Sequence, residues 1–116
     1  MRDLTTMSSR TDLETARAKP PAHLSRQAKR WWRSVLDAYD LEPHHVAILT
    51  AAAEAWDRKE QARLIIAEEG VVTRVDRDTP MPHPAVQVED MSAMRFAHMV
   101  REIGLDATSS PEVRLP

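Results

Sequence analysis

The longest helical pattern in the chain is PHHVAILTAAAEAWDRKEQARLIIAEEG, residues 43–70. Pro43 suits the first position of a helix, where an N–H has no partner within the helix, and Gly70 suits the C-terminal cap. One side of the predicted helix carries Val46, Leu49, Ala53, Trp56, Leu64 and Ala67, and another carries Ile48, Ala52, Ala55, Ala62 and Ile66. A helix with two apolar sides must be covered on both of them.

A shorter helix is predicted upstream, from Ser25 to Tyr39. Ser25 can cap it, because its hydroxyl can accept a hydrogen bond from a first-turn N–H. The apolar residues of this segment fall on one face, and we expect its paired tryptophans to be buried there and not to stack on bases. This face consists of Leu24, Ala28, Trp31, Trp32, Val35, Leu36 and Tyr39.

The opposite side of the same helix is cationic, with its four basic residues within roughly 100° of arc. Such a face either keeps a helix soluble or contacts a phosphate backbone. Residues 1–33 carry eight basic and three acidic side chains, whereas residues 34–116 carry eight and fifteen. Because a basic head precedes an acidic body, we predict nucleic-acid binding. The predicted contacts are Arg17, Lys19, Arg26, Lys29, Arg30 and Arg33.

The segment after the long helix predicts a small β-hairpin and a last helix. Val71–Val75 is rich in β-branched residues and predicts a strand, 76–79 a turn, and Pro80–Pro82 an edge strand. The last helix is predicted from about Pro84 to Gly104, again with two apolar strips. They are Val86, Ala93, Phe96, Ala97, Val100 and Ile103, and Val88, Met91, Met94 and Met99.

These elements predict an all-α fold of three main helices, with the hairpin between the second and the third. Residues 1–21 are predicted as a flexible basic arm, 22–104 as the helical DNA-binding and oligomerisation domain, and 105–116 as an irregular tail. A chain of 116 residues cannot cover so much apolar helix surface alone, so we expect self-association. The methionines could instead form an adaptable binding surface. The predicted interface is Ile48, Ala52, Ala55, Ile66, Val88, Met91, Met94 and Met99.

The sequence lacks the residues that several classes of function require. The chain has no cysteine and no glycine-rich phosphate loop, so we expect no catalysis and no cofactor. We expect no metal site at His44 and His45, because adjacent helical side chains diverge by about 100°. His83, before Pro84, is expected to have a structural role. No apolar run could cross a membrane, and we expect a soluble intracellular protein.

The order of these features resembles one group of phage terminase small subunits. Leu24-Ser25 opens a helix with paired tryptophans, and Asp40–Pro43 leads into a long alanine-rich helix. Glu68–Gly70 closes that helix before a short β segment. His83-Pro84 then starts a final helix that ends in Ile103–Leu105. The resemblance covers about residues 20 to 106, and it is carried by the succession of these features.

This resemblance implies a ring-like homo-oligomer that acts in the cytoplasm of the infected bacterial host. It implies two further partners, double-stranded viral DNA and the large terminase subunit, which holds the ATPase and the nuclease. The family pattern usually continues into a Pro/Ser/Arg tail, but here Asp106–Thr108 intervenes. The alternatives are a helical adaptor that holds a protein partner and a small dimeric DNA-binding regulator.

Overall fold

The computed structural model describes residues 19–74 and 79–105. Within these ranges the chain forms three helices, α1 (Arg26–Ala38), α2 (Pro43–Glu69) and α3 (Pro84–Ile103), and two strands, β1 (Val72–Arg74) and β2 (Pro80–Pro82). The predicted helical fold with a hairpin between the second and third helices is confirmed. Most of the predicted arm, turn and tail falls at 1–18, 75–78 and 106–116, outside the described residues.

The helix ends lie where the sequence signals predict them. The Ser25 hydroxyl accepts from the N–H of Ala28 at 3.1 Å, and Pro43 is the first residue of α2. Gly70 and Gly104 end α2 and α3 with φ values of 86° and 85°. Residues that carry a side chain rarely adopt a positive φ, so glycine is the favoured residue at both helix ends.

The hairpin tolerates two prolines in β2 because of its register. β1 and β2 are antiparallel, with Thr73 opposite Met81, and the N–H of His83 donates to the carbonyl of Val71 at 2.8 Å. Along two antiparallel strands, hydrogen-bonded residue pairs alternate with pairs that are not hydrogen-bonded. Thr73 and Met81 lie two positions from the bonded pair of Val71 and His83, so they are also a hydrogen-bonded pair. Pro80 and Pro82 therefore occupy positions whose missing N–H would point outward, and no bond between the strands is lost.

The helices α2 and α3 pack side by side and run antiparallel. His83, before α3, meets Glu69 at the end of α2, with 3.0 Å between Nε2 and Oε1. Farther along both helices, the rings of Trp56 and Phe96 lie 5.4 Å apart. The ring of Trp31 on α1 lies at the same distance from Phe96. The short α1 therefore packs only where the first half of α2 meets the second half of α3.

This arrangement divides the molecule into two ends. We call residues 19–57 and 95–105 the α1 end, and residues 58–74 and 79–94 the hairpin end. The main buried cluster of the described residues lies entirely at the α1 end. It consists of Leu24, Ala28, Trp31, Trp32, Val35, Leu36, Leu41, Leu49, Ala52, Ala53, Ala55, Phe96, Val100 and Leu105. Trp31 and Trp32 are only 3% and 2% exposed, which confirms the prediction that they are buried.

The hairpin end has the opposite character. Its buried residues are small, namely Ala62, Ala85 and Ser92. The large apolar side chains that the structure exposes lie at this end. They are Leu64, Ile65, Val71, Val72, Met81, Val88, Met91 and Met94.

Two residues of the predicted oligomer interface are buried within the chain. Ala52 and Ala55 are 0% and 1% exposed, because at the α1 end both apolar sides of α2 are covered within the chain. Neither can add area to a contact between copies of this conformation. Ile48, Ile66 and Met99 are half-buried, and Met99 packs against the core. Val88, Met91 and Met94 are 46%, 45% and 72% exposed, so these three remain available to a partner.

Candidate nucleic-acid interface

One polar contact inside the core supports the rotation of α1 that burial of its apolar face favours. The indole N–H of Trp32 donates to the Thr50 hydroxyl at 3.1 Å, and that hydroxyl donates to the Val46 carbonyl at 3.0 Å. A buried indole N–H usually has such a partner, so this bond favours one rotation of α1 against α2. The indole N–H groups of Trp31 and Trp56 are buried without one in the described part of the chain. With its tryptophans turned inward, α1 presents the opposite side to solvent.

The start of α1 is also held by two carboxylates of α2. Asp57 accepts from the Ser25 backbone N–H at 2.7 Å and from the Ser25 hydroxyl at 2.5 Å. Nearby, Nε2 of His23 lies 2.8 Å from Oε2 of Glu54. Bonds to an ionised acceptor are stronger than neutral ones, so this pair of contacts orients the beginning of α1. No local sequence signal announces these two contacts.

The outward side of α1 carries the four predicted cations together. Arg26, Arg30 and Arg33 are exposed and Lys29 is half-buried. The four border one shared surface depression, which is also lined by Ser34 and Asp37. Among the described residues, no carboxylate forms an ion pair with any of these cations. Their charges therefore remain available to an anionic ligand.

Two basic residues of α2, in contrast, are neutralised by a neighbouring carboxylate. On α2, Nζ of Lys59 lies 3.1 Å from Oε2 of Glu60, and Nε of Arg63 lies at the same distance from that oxygen. The Arg63 guanidinium, aided by Lys59, holds the pKa of the Glu60 carboxyl below its usual value although partial burial opposes this shift. Lys59 also lies 3.8 Å above the centre of the Trp56 ring. These paired cations contrast with the unpaired ones on α1.

Of the two predicted DNA contacts upstream of α1, only Lys19 lies among the described residues. Lys19 is exposed, and it precedes Pro20, which is buried. Arg17 lies outside the described residues. The structure therefore brings together four of the six predicted contacts and leaves Lys19 as a separate exposed cation.

The histidines have local roles. The rings of His44 and His45 lie 4.1 Å apart, closer than the expected divergence of neighbouring side chains suggests. His83 accepts at Nδ1 from the N–H of Ala85 at 3.0 Å and contacts Glu69 through Nε2, so its predicted structural role is confirmed. In the part of the chain that the structure describes, no three His, Asp or Glu residues form a group that could hold a metal ion.

Comparison with known families identifies the chain. A family model described as phage terminase, small subunit, matches residues 28–116. The chain belongs to this family. The match to the terminase small subunits begins within α1, so it includes Lys29, Arg30 and Arg33 but not Arg26. No curated protein and no solved structure gives a significant match. None of the helices in the described ranges is long and apolar enough to span a membrane.

Proposed function

We propose that this terminase small subunit binds double-stranded viral DNA through the cationic side of α1. It does so without catalysis, as a homo-oligomer that presents the DNA to the large subunit in the cytoplasm of the infected host. The observation that carries the proposal is the set of four cations on one side of an anchored helix, without a carboxylate partner among the described residues. Arg17 and Lys19 extend the same basic region upstream.

The dimensions of this face suit a phosphate backbone. Arg26 and Arg33 are separated by about 10 Å along the axis of α1. Over the same distance, one strand of duplex DNA carries about three phosphates. Arginine can donate two parallel hydrogen bonds to a phosphate, and three of the four cations are arginines. A single copy can therefore neutralise several phosphates with one helix.

Self-association would multiply this attraction. At the hairpin end, Val88, Met91 and Met94 expose apolar surface on α3, and five further large apolar side chains are exposed at the same end. A stable interface buries roughly 800 Å² on each partner, so several of these side chains would have to enter the contact together. A ring joined at this end would repeat the α1 face around its axis, and several weak contacts would become one strong attachment.

The salt dependence of duplex binding tests the phosphate contacts. Each neutralised phosphate releases counterions, so the logarithm of the affinity should fall with the logarithm of the salt concentration at about 0.9 per phosphate. We expect a steep decrease between low and moderate salt for the wild-type protein. A flat response would contradict phosphate binding, and no binding at low salt would favour a protein-binding adaptor instead.

A charge-matched pair of variants tests the location of the interface. One variant replaces Arg26, Lys29, Arg30 and Arg33 with Ala. The control replaces four exposed arginines elsewhere, Arg58, Arg74, Arg95 and Arg101, with Ala. Both lose four positive charges, but only the first should lose duplex binding and most of the salt dependence. Equal losses in the two variants would mean that net charge, and not α1, determines the affinity.

A further inference from the structure

A carboxylate lies at the C-terminal end of the cationic face of α1. Arg26, Arg30, Arg33 and Asp37 follow one another at spacings of four, three and four residues. At about 100° per residue, these four side chains fall within roughly 60° of arc and form a single row along the helix. Asp37 is exposed and borders the same surface depression as the cations. A helix that binds phosphates with this row therefore brings Asp37 to the DNA as well.

Nothing in the described structure gives Asp37 a role in stability. It lies in the last turn of α1, where a negative charge interacts unfavourably with the helix dipole, and this turn has no basic residue to compensate. It forms no hydrogen bond or ion pair with the described residues, including Arg33 one turn before it. A carboxylate beside phosphates also weakens binding through like-charge repulsion. Asp37 thus disfavours both the helix and a purely electrostatic contact.

Recognition of a base edge gives this carboxylate a partner. The exposed edges of the base pairs in the major groove include hydrogen-bond donors, the amino groups of cytosine and adenine. A carboxylate accepts well from the cytosine amino group, whereas the adenine amino group lies beside the N7 acceptor, which repels a negative charge. An α-helix of about 10–12 Å diameter fits the major groove, which is about 12 Å wide.

We propose that Asp37 is a specificity-determining residue that accepts a hydrogen bond from a cytosine amino group in the major groove. This inference rests on the proposed function, and it deepens it from backbone attachment to base selection. Lys29, at the flank of the row, and the arginines hold the helix against phosphates and can donate to guanine. The protein then binds more weakly to every DNA sequence that places an acceptor, such as guanine O6 or thymine O4, opposite Asp37.

The test selects preferred sequences from a pool of short DNA duplexes with random sequence. The wild-type protein should enrich a site with cytosine at one defined position. Asp37→Asn should shift that position to adenine, because an asparagine amide pairs with the N6 and N7 groups of adenine. Asp37→Ala should bind random duplexes more tightly. At the position where the wild-type protein selects cytosine, its discrimination between cytosine and the other bases should be about ten-fold smaller.

Asp40→Asn is the matched control, since it removes the same charge from an exposed residue just beyond α1. It should enrich the same site as the wild-type protein. Unchanged enrichment by both Asp37 variants, or a wild-type selection with no base preference, would overturn the role of Asp37 while leaving backbone binding intact. A wild-type protein that retains no duplex at low salt would overturn both proposals.

Discussion

The two ends of the molecule share the same pair of helices but differ in what covers them. At the α1 end a third helix closes the junction of α2 and α3, and aromatic rings fill it. At the hairpin end the two helices bury only small residues between them, and large apolar side chains remain exposed. The charged face of the molecule lies at the first end and its apolar surface lies at the second.

This difference suggests a division of tasks within one short chain. The α1 end is complete in a single copy, so its outer side is free for a hydrophilic ligand. The hairpin end exposes eight large apolar side chains, and because exposed apolar patches are typical of contact surfaces, we propose that it contacts another protein surface. We therefore expect changes at the α1 end to affect folding and DNA binding, and changes at the hairpin end to affect assembly.

The largest effect is expected in the core of the α1 end. Trp31→Ala removes a ring that contacts Phe96, and the free energy of unfolding should fall by about 3–5 kcal/mol. Met94→Ala, at a residue that is 72% exposed, should change it by less than about 0.5 kcal/mol in a dissociated subunit. Urea denaturation at low protein concentration measures both. Similar losses in the two variants would remove the distinction between the ends.

A charge placed on the hairpin end should affect assembly next most strongly. Met91→Glu puts a carboxylate into the proposed contact, and burying an unpaired charge costs a few kcal/mol. Analytical ultracentrifugation should show the variant as single 13.2 kDa subunits at concentrations where the wild-type protein sediments as an oligomer. Ala47→Glu adds the same charge to an exposed position of α2 at the α1 end and should leave the assembly intact. An unaffected Met91→Glu assembly would place the interface elsewhere.

A smaller effect is expected where α2 anchors α1. Asp57→Ala removes the acceptor of two hydrogen bonds from Ser25, and the free energy of unfolding should fall by about 1–3 kcal/mol. Duplex affinity should fall as well, because the first turn of the cationic helix loses its support. Glu68→Ala removes an exposed carboxylate near the other end of α2 and serves as the control in denaturation and binding experiments. Equal stability of the two variants would mean that Asp57 does not anchor α1.

The smallest effect is expected at Glu60, near the boundary between the ends. Its pKa is lowered chiefly by the hydrogen bond from Arg63, so the ion pair adds stability above the unfolded pKa and loses it as the pH falls through the folded pKa. Glu60→Gln should therefore cost under about 1 kcal/mol at neutral pH and nothing in strong acid. Denaturation curves at pH 7 and pH 3 test the sign. If the free energies of unfolding of the two proteins differed by the same amount at both pH values, the ion pair would be excluded as the cause.

The helix ends were predictable because local chemistry determines them. Ser25 as a cap, Pro43 and Pro84 as first residues, and glycines at positive φ each act within one helical turn. The inward direction of the tryptophans and the outward direction of the cations also followed from helical periodicity alone. These features require no knowledge of the neighbouring helix.

Features that depend on which surfaces meet were not predictable. Periodicity showed that α2 has two apolar sides, but not that both are covered within the chain beside Ala52 and Ala55. The bond between Asp57 and Ser25 joins residues 32 positions apart, and no sequence motif announces such a pair. The contact of the His44 and His45 rings depends on side-chain rotamers, which helical spacing does not determine.

Labelling the lysines of the wild-type protein with and without a DNA duplex tests the central claim most directly. The chain has three lysines: Lys29 on the cationic side of α1, Lys19 upstream of it, and Lys59 paired with Glu60 on α2. Mass spectrometry after acetylation should show that the duplex protects Lys29 and Lys19 and leaves the reactivity of Lys59 unchanged. Protection of Lys59 alone, or equal protection of all three, would contradict DNA binding by α1.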